Sequence, residues 1–210
     1  MQAPISAFLV HGMGRSPLSM QILAWRLRQA GFRTHCFGYV AAFERFASCR
    51  ERLLRQIHRH AGAAPFLLAG HSLGSVLIRA CLPDLPRPPL ACAFMAPPTV
   101  ASKAARFFRR NPLYRLGTGE IGQRLGEPDF MAALPVPDVP TTIYAGVAGP
   151  RGRWSPFGNE DNDGVLGWSE VQLPGARILR IDAMHTFIMN SRIVTADLIS
   201  TCRQLAGQSA

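Results

Sequence analysis

Ser72 stands between two glycines, in Gly70-His71-Ser72-Leu73-Gly74, with the apolar run PFLLAG leading in and LGSVLIRA leading out. A hydroxyl at the seam of two apolar segments gains little from burial unless something uses it. The pattern G-x-S-x-G has a mechanical reading. A strand turns at once into a helix, the serine sits at the tip in a strained conformation, and a Cβ at either flanking glycine would collide with neighbouring backbone. The hydroxyl then stands over a helix N-terminus, whose amide groups favour developing negative charge. The alternative is a tight turn in which Ser72 merely caps the helix. The chemistry of the first reading is nucleophilic attack, and it requires a base, because a free hydroxyl is a weak nucleophile at neutral pH.

A serine held this way needs strands and helices in alternation, and the hydrophobic pattern supplies them. Strands are expected at 5–10, 32–39, 65–70, 90–96, 141–147 and 176–182. Helices are expected at 17–30, with Leu18, Ile22, Trp25 and Leu27 at helical spacing before Gly31, and at 43–60, with Phe46, Leu53, Leu54 and Ile57 on one side. Further helices are expected at 73–82 and at 191–206, where Val194, Leu198 and Cys202 recur every fourth residue. This alternation predicts an α/β fold: one domain over 1–210, with about six mostly parallel strands and helices on both faces. Residues 98–140 interrupt it. They are rich in Arg, Gly and Pro, with a short helical stretch at 101–109, and read as a cap-like insertion or a surface excursion.

Bulk properties narrow the function. The 210 residues carry a net charge of +10, which suggests an anionic partner. Lys103 is the only lysine, however, and the arginines are scattered except in RFFRR at 106–110. No nucleic-acid motif is present, so no nucleic-acid partner is expected. The five cysteines (36, 49, 81, 92, 202) are odd in number, widely spaced and without a CxxC, which predicts buried reduced thiols. No apolar run approaches the ~20 residues that cross a bilayer. The start, MQAPISAFLVHGMG, has neither a basic beginning nor a cleavage site and reads as a first strand, so a cytoplasmic location is expected. No His or Cys cluster suggests a metal, and no cofactor is expected.

Three separated motifs, HGMGRS after the first strand, GHSLGS, and DNDGVLGWS with DAMHTF near the end, resemble those of the α/β-hydrolase superfamily, and more narrowly of its small bacterial esterases and lipases. They span nearly the whole chain in the order that fold requires. The first strand begins almost at Met1, so the two leading strands of larger members look absent, which implies a minimal sheet.

The resemblance assigns roles. Among six histidines, His185 follows the last strand, in the loop where this fold brings its base to the serine, and the chain order Ser, acid, His is met. His11 belongs to the first motif and is expected to serve loop structure. His71 is expected to point away, and His35, His58 and His60 to be surface or filler residues. The loop after 141–147 should supply the acid. Asn162-Asp163-Gly164-Val165 resembles the family's acid motif, which selects Asp163, with Asp161 as runner-up. Asp182 lies too close to His185 along the strand end to orient it from behind. The oxyanion should be met by the backbone N–H groups of Leu73 and Met13. Phe107, Phe108, Leu113 and Tyr114, with Leu116, are candidates for an acyl pocket, and the arginines among them for a weak contact with an anionic membrane surface. Several larger relatives bind calcium through an aspartate two residues after the histidine. Phe187 stands there, so no calcium is expected. The implied function is a serine hydrolase acting on small-molecule or lipid esters through an acyl-enzyme. An acyltransferase with the same triad, or a silent binding protein of the same fold, stays open.

Overall fold

The run SAFLV, Ser6–Val10 (β1), is buried at every position, which only a strand covered on both faces allows. A computed structural model describes residues 4–208. It adds strands Arg33–Phe37 (β2), Phe66–His71 (β3), Ala91–Met95 (β4), Thr141–Gly146 (β5) and Arg177–Ile181 (β6). They form one six-stranded sheet in the order β2-β1-β3-β4-β5-β6, parallel throughout. The helices are Gln21–Gln29 (α1), Phe46–Ala61 (α2), Leu73–Cys81 (α3), Lys103–Phe108 (α4), Pro112–Arg124 (α5), Pro128–Ala132 (α6) and Arg192–Gln208 (α7). Among the described residues no helix is long and apolar enough to cross a membrane.

Strand alternation splits the interior in two. Phe8, Val10, Phe66, Leu68, Phe94 and Ile143 face α2 and α3. Ala7, Leu9, Leu67, Met95 and Tyr144 face α1 and α7. The chain therefore leaves β1 for one face and β3 for the other, although the two strands are neighbours. In sheets of this kind ligands bind outside the C-terminal ends of the strands, at the point where such a divergence occurs. Ser72 directly follows β3, and Met13 lies in the turn after β1.

Two expectations need correcting. Along the 3-10 turn Pro17–Met20 and α1 that follows it, the buried stripe is Met20, Leu23, Ala24 and Leu27, while Leu18, Ile22 and Trp25 face solvent. At 3.6 residues per turn Leu18, Ile22 and Trp25 share one face and Leu27 lies on the opposite one, so the four cannot form a single buried stripe, and the face that carries Leu27 is the one that packs. Residues 98–140 are largely helical rather than irregular. Asn111 caps α5 by accepting from the Leu113 and Tyr114 amides at 2.9 and 3.2 Å, with Pro112 in the first turn. The helix kinks at Gly119 (φ +57°), where a Cβ would lie 2.7 Å from the Ala41 carbonyl oxygen. Ala105, Ile121, Leu125 and Met131 anchor the segment in the α2–α3 side of the core.

Cys49, Cys81, Cys92 and Cys202 are buried, Cys36 is half-buried, and all five are free thiols. Burial pushes the Cys49, Cys81, Cys92 and Cys202 thiols up to about 12, which keeps them unreactive.

Candidate active site

At the end of β3 the backbone reverses through Ser72, whose φ of +50° and ψ of −120° lie outside the regions that non-glycine residues favour. Strain of this kind persists only where the surroundings over-determine it. The Ser72 amide donates to the Met95 carbonyl at 2.9 Å, and the Ser72 carbonyl accepts from the Ser75 amide at 2.9 Å. A Cβ on Gly70 would lie 2.6 Å from the Ser75 nitrogen, and one on Gly74 2.7 Å from the His11 carbonyl oxygen. Both flanking glycines are thus required by close packing, as the motif predicts. Leu73 opens α3, so its N–H has no carbonyl one turn back to bond.

The turn after β1 lies directly against the serine. A Cβ on Gly12 would come within 3.2 Å of Ser72 Cβ and 2.7 Å of His71 Nδ1. His11 shapes that turn. Its Nδ1 pairs with the Gly12 carbonyl at 2.9 Å. A carbonyl can only accept, so Nδ1 carries the proton, and Nε2 is left to accept from the Tyr39 amide at 3.4 Å. The Tyr39 hydroxyl donates to the His11 carbonyl at 2.8 Å, and the two rings stack with centroids 4.3 Å apart. Burial lowers the His11 pKa, which favours this neutral tautomer. Arg15 Nη2, from the same turn, donates to the Thr186 carbonyl at 3.3 Å and ties it to the loop that carries His185.

His185 and Asp163, 22 residues apart, meet with Nδ1 2.7 Å from Oδ2. Asp163 is only 1% exposed. Its other oxygen, Oδ1, accepts from the Val165 and Leu166 amides at 2.9 and 2.8 Å. The backbone doubles the link, since the His185 amide donates to the Asp163 carbonyl at 2.9 Å. A carboxylate so fixed holds the proton on Nδ1 and leaves Nε2 as the acceptor. Asp161, the runner-up, is engaged elsewhere: its oxygens pair with Arg151 at 2.9 Å and Arg180 at 3.0 Å. Asp182 is exposed.

His71 does not simply point away. Its Nε2 donates to the His185 carbonyl at 2.9 Å, and the two rings lie 5.0 Å apart. This contact brings the residue before Ser72 against the residue that would be its base. Burial, then the nearby His185, holds the His71 pKa well below its usual value, so it stays neutral. Glu170 is a second unforeseen anchor. Buried on the acid loop, it accepts from the Gly167 amide at 3.0 Å and the Lys103 amide at 2.8 Å, joining that loop to the start of α4. Only the GHS triplet drew attention to His71. No spacing rule links Tyr39 to His11 or Glu170 to Lys103.

The residues expected to line an acyl pocket do not enclose one. Phe107, Phe108 and Leu113 face solvent, and only Tyr114 turns inward against the core. Phe187 is exposed two residues beyond His185. Among the described residues, no three His, Cys, Asp or Glu side chains gather as a metal site would.

No protein-family model and no curated protein matches the sequence. Solved structures do. A structure from the work on LipS and LipT, two metagenome-derived lipolytic enzymes, superposes with a TM-score of 0.73 at 12% identity, over 97% of this chain and 95% of that one. The mature Bacillus licheniformis lipase BlEst2 matches with 0.65 at 17% identity, over 95% and 91%. A putative hydrolase of the α/β superfamily from Xanthomonas campestris pv. campestris matches with 0.57 at 19% identity, over 98% and 99%. At such identities the likeness lies in the path of the chain, not in the residues of a site. The parallel sheet, the strained turn after β3 and these neighbours together establish that this chain has the α/β-hydrolase fold.

Proposed function

We propose that this chain is a carboxylic ester hydrolase in which Ser72 is the nucleophile, His185 the general base and acid, and Asp163 the residue that orients the imidazole. One arrangement carries the reading: a buried carboxylate 2.7 Å from His185 Nδ1, with the His185 main chain bonded to the residue beside a serine held at positive φ. The names of the similar structures, a lipolytic enzyme, a lipase and a hydrolase, lend support.

The steps follow from the roles. Ser72 Oγ attacks the ester carbonyl carbon as its proton passes to His185 Nε2. The carbonyl oxygen becomes an oxyanion, met by the N–H groups of Leu73 and Met13. Collapse expels the alkoxide, which takes the proton from Nε2 and leaves an acyl group on Ser72. Water then attacks the acyl-enzyme, giving a proton to Nε2, and the second collapse returns that proton to Ser72 Oγ as the acid departs. Asp163 stays ionised throughout and stabilises the imidazolium.

A fluorophosphonate probe should label the wild-type chain and not Ser72→Ala. A p-nitrophenyl ester series from acetate to palmitate then reads activity and acyl preference together. A folded wild-type chain that neither labels nor hydrolyses any ester would remove the proposal.

A further inference from the structure

Between Asp84 and Glu120 the chain has no acidic residue, yet it carries Arg87, Lys103, Arg106, Arg109, Arg110 and Arg115. Four of these arginines crowd onto the α4–α5 hairpin, and all four are exposed. Some arginines elsewhere find carboxylates, as Arg50 does with Asp84 and Arg180 with Asp161, and others bond to main-chain carbonyls, as Arg79 and Arg87 do. Among the described residues, Arg106, Arg109, Arg110 and Arg115 have no ion-pair partner. The same hairpin exposes large apolar side chains: Phe107 is 81%, Leu113 78% and Leu116 74% accessible. The rings of Phe107 and Phe108 lie 4.9 Å apart and those of Phe108 and Tyr114 6.1 Å apart, so the aromatic groups form one cluster at the helix junction. Below it, Ala105 and Ile121 hold the hairpin to the core, so the cluster sits on a packed support.

We propose that the α4–α5 hairpin is a docking surface for an anionic lipid bilayer. Unpaired guanidinium groups complement anionic head groups, and Phe and Leu side chains gain by entering the boundary between head groups and acyl chains. A nucleic acid would satisfy the arginines but offer nothing to Leu113 and Leu116. A second copy of the chain docked face to face would set four arginines against four more. The proposal is independent of the ester-hydrolase reading, and its test can fail or succeed separately.

Co-flotation of the full chain with phosphatidylcholine vesicles, pure or one-third phosphatidylglycerol, provides the test. Wild type should float with the anionic vesicles, remain behind with the neutral ones, and be released in 1 M salt, where the screening length falls to about 3 Å. Each basic residue near a charged membrane surface contributes roughly a fivefold factor in partitioning, so Arg109→Gln/Arg110→Gln should lower binding about 30-fold. Both side chains are exposed, so that variant should keep its melting temperature and its hydrolysis of soluble p-nitrophenyl acetate. Leu113→Ser/Leu116→Ser should weaken binding to the same anionic vesicles, and Ser72→Ala should float as wild type does. Equal binding to both vesicles, no binding to either, or an unchanged partition for the arginine variant overturns the proposal. Retention on poly(U) without vesicle binding overturns it in favour of a nucleic acid. A concentration-dependent dimer lost in Leu113→Ser/Leu116→Ser, without vesicle binding, overturns it in favour of self-association.

Discussion

Replacing Asp163 by Asn changes one atom and should cripple turnover without unfolding the chain. In the native site Oδ1 accepts from two backbone amides, Val165 and Leu166, and Oδ2 faces His185 Nδ1 at 2.7 Å. The amide oxygen of Asn would take over the two backbone donors, because its NH2 group cannot accept them. That leaves the NH2 facing Nδ1, which must then become the acceptor. The proton moves to Nε2, where it blocks acceptance of the Ser72 proton. In the serine-protease template the equivalent change lowers kcat about 10^4-fold, which is ~5.4 kcal/mol at 1.36 kcal/mol per tenfold. The expectation here is a kcat loss of about 10^3 to 10^4-fold on p-nitrophenyl butyrate, with KM little changed. Asp161→Asn is the matched control. It breaks pairs with Arg151 and Arg180, whose side chains are 51% and 61% exposed, and should cost about 1 kcal/mol of stability or less. A crippled Asp161→Asn beside an active Asp163→Asn would refute the assignment. So would an Asp163→Asn enzyme retaining more than about a tenth of wild-type kcat.

Three further outcomes are expected. Ser72→Ala and His185→Ala should each reduce kcat by roughly 10^4-fold or more, and the double variant should be little worse, because members of a triad act as a unit. Additive losses in steady-state kinetics would assign them to separate steps. Tyr39→Phe removes the hydroxyl that donates to the buried His11 carbonyl, costing about 1–3 kcal/mol of stability. It should also lower kcat more than it raises KM, since the turn carrying Met13 loosens, and unchanged kinetics would count against that role. Stability should fall as pH drops below about 6.5. The His71 and His11 pKa values are both depressed in the folded chain, so the unfolded chain takes up protons that the native one refuses. Each such group contributes a slope of up to about 1.36 kcal/mol per pH unit. Thermal melts between pH 7 and 5 should show a shallower decline for His71→Gln than for wild type, and parallel curves would contradict it.

Short-range pattern was enough for the parallel sheet, the placing of its strands and the turn at Ser72. Strands buried on both faces read as continuous apolar runs, and a helix that must start at once after a strand needs glycine where backbones touch. Both constraints act within a few residues, so they leave a local mark. The resemblance of their loops singled out Asp163 and His185 as candidates for acid and base. Their 2.7 Å contact was not legible, because it depends on β5 and β6 lying side by side. The face of α1 was misread, since Leu18, Ile22 and Trp25 form an apolar stripe as regular as the one through Leu23 and Leu27, and only the packing shows which of the two is buried. The helices of 98–140 were hidden by their glycines, whose propensity cost is offset by packing that only the folded chain supplies. Tertiary structure alone decided that Tyr39 braces the turn at His11 and that His71 holds His185. It also decided that Asp161 is taken by Arg151 and Arg180, and that Phe107 and Leu113 face outward. Each of these is a meeting of residues distant in sequence, set by the order in which six strands lie in the sheet, and no periodicity along the chain records that order.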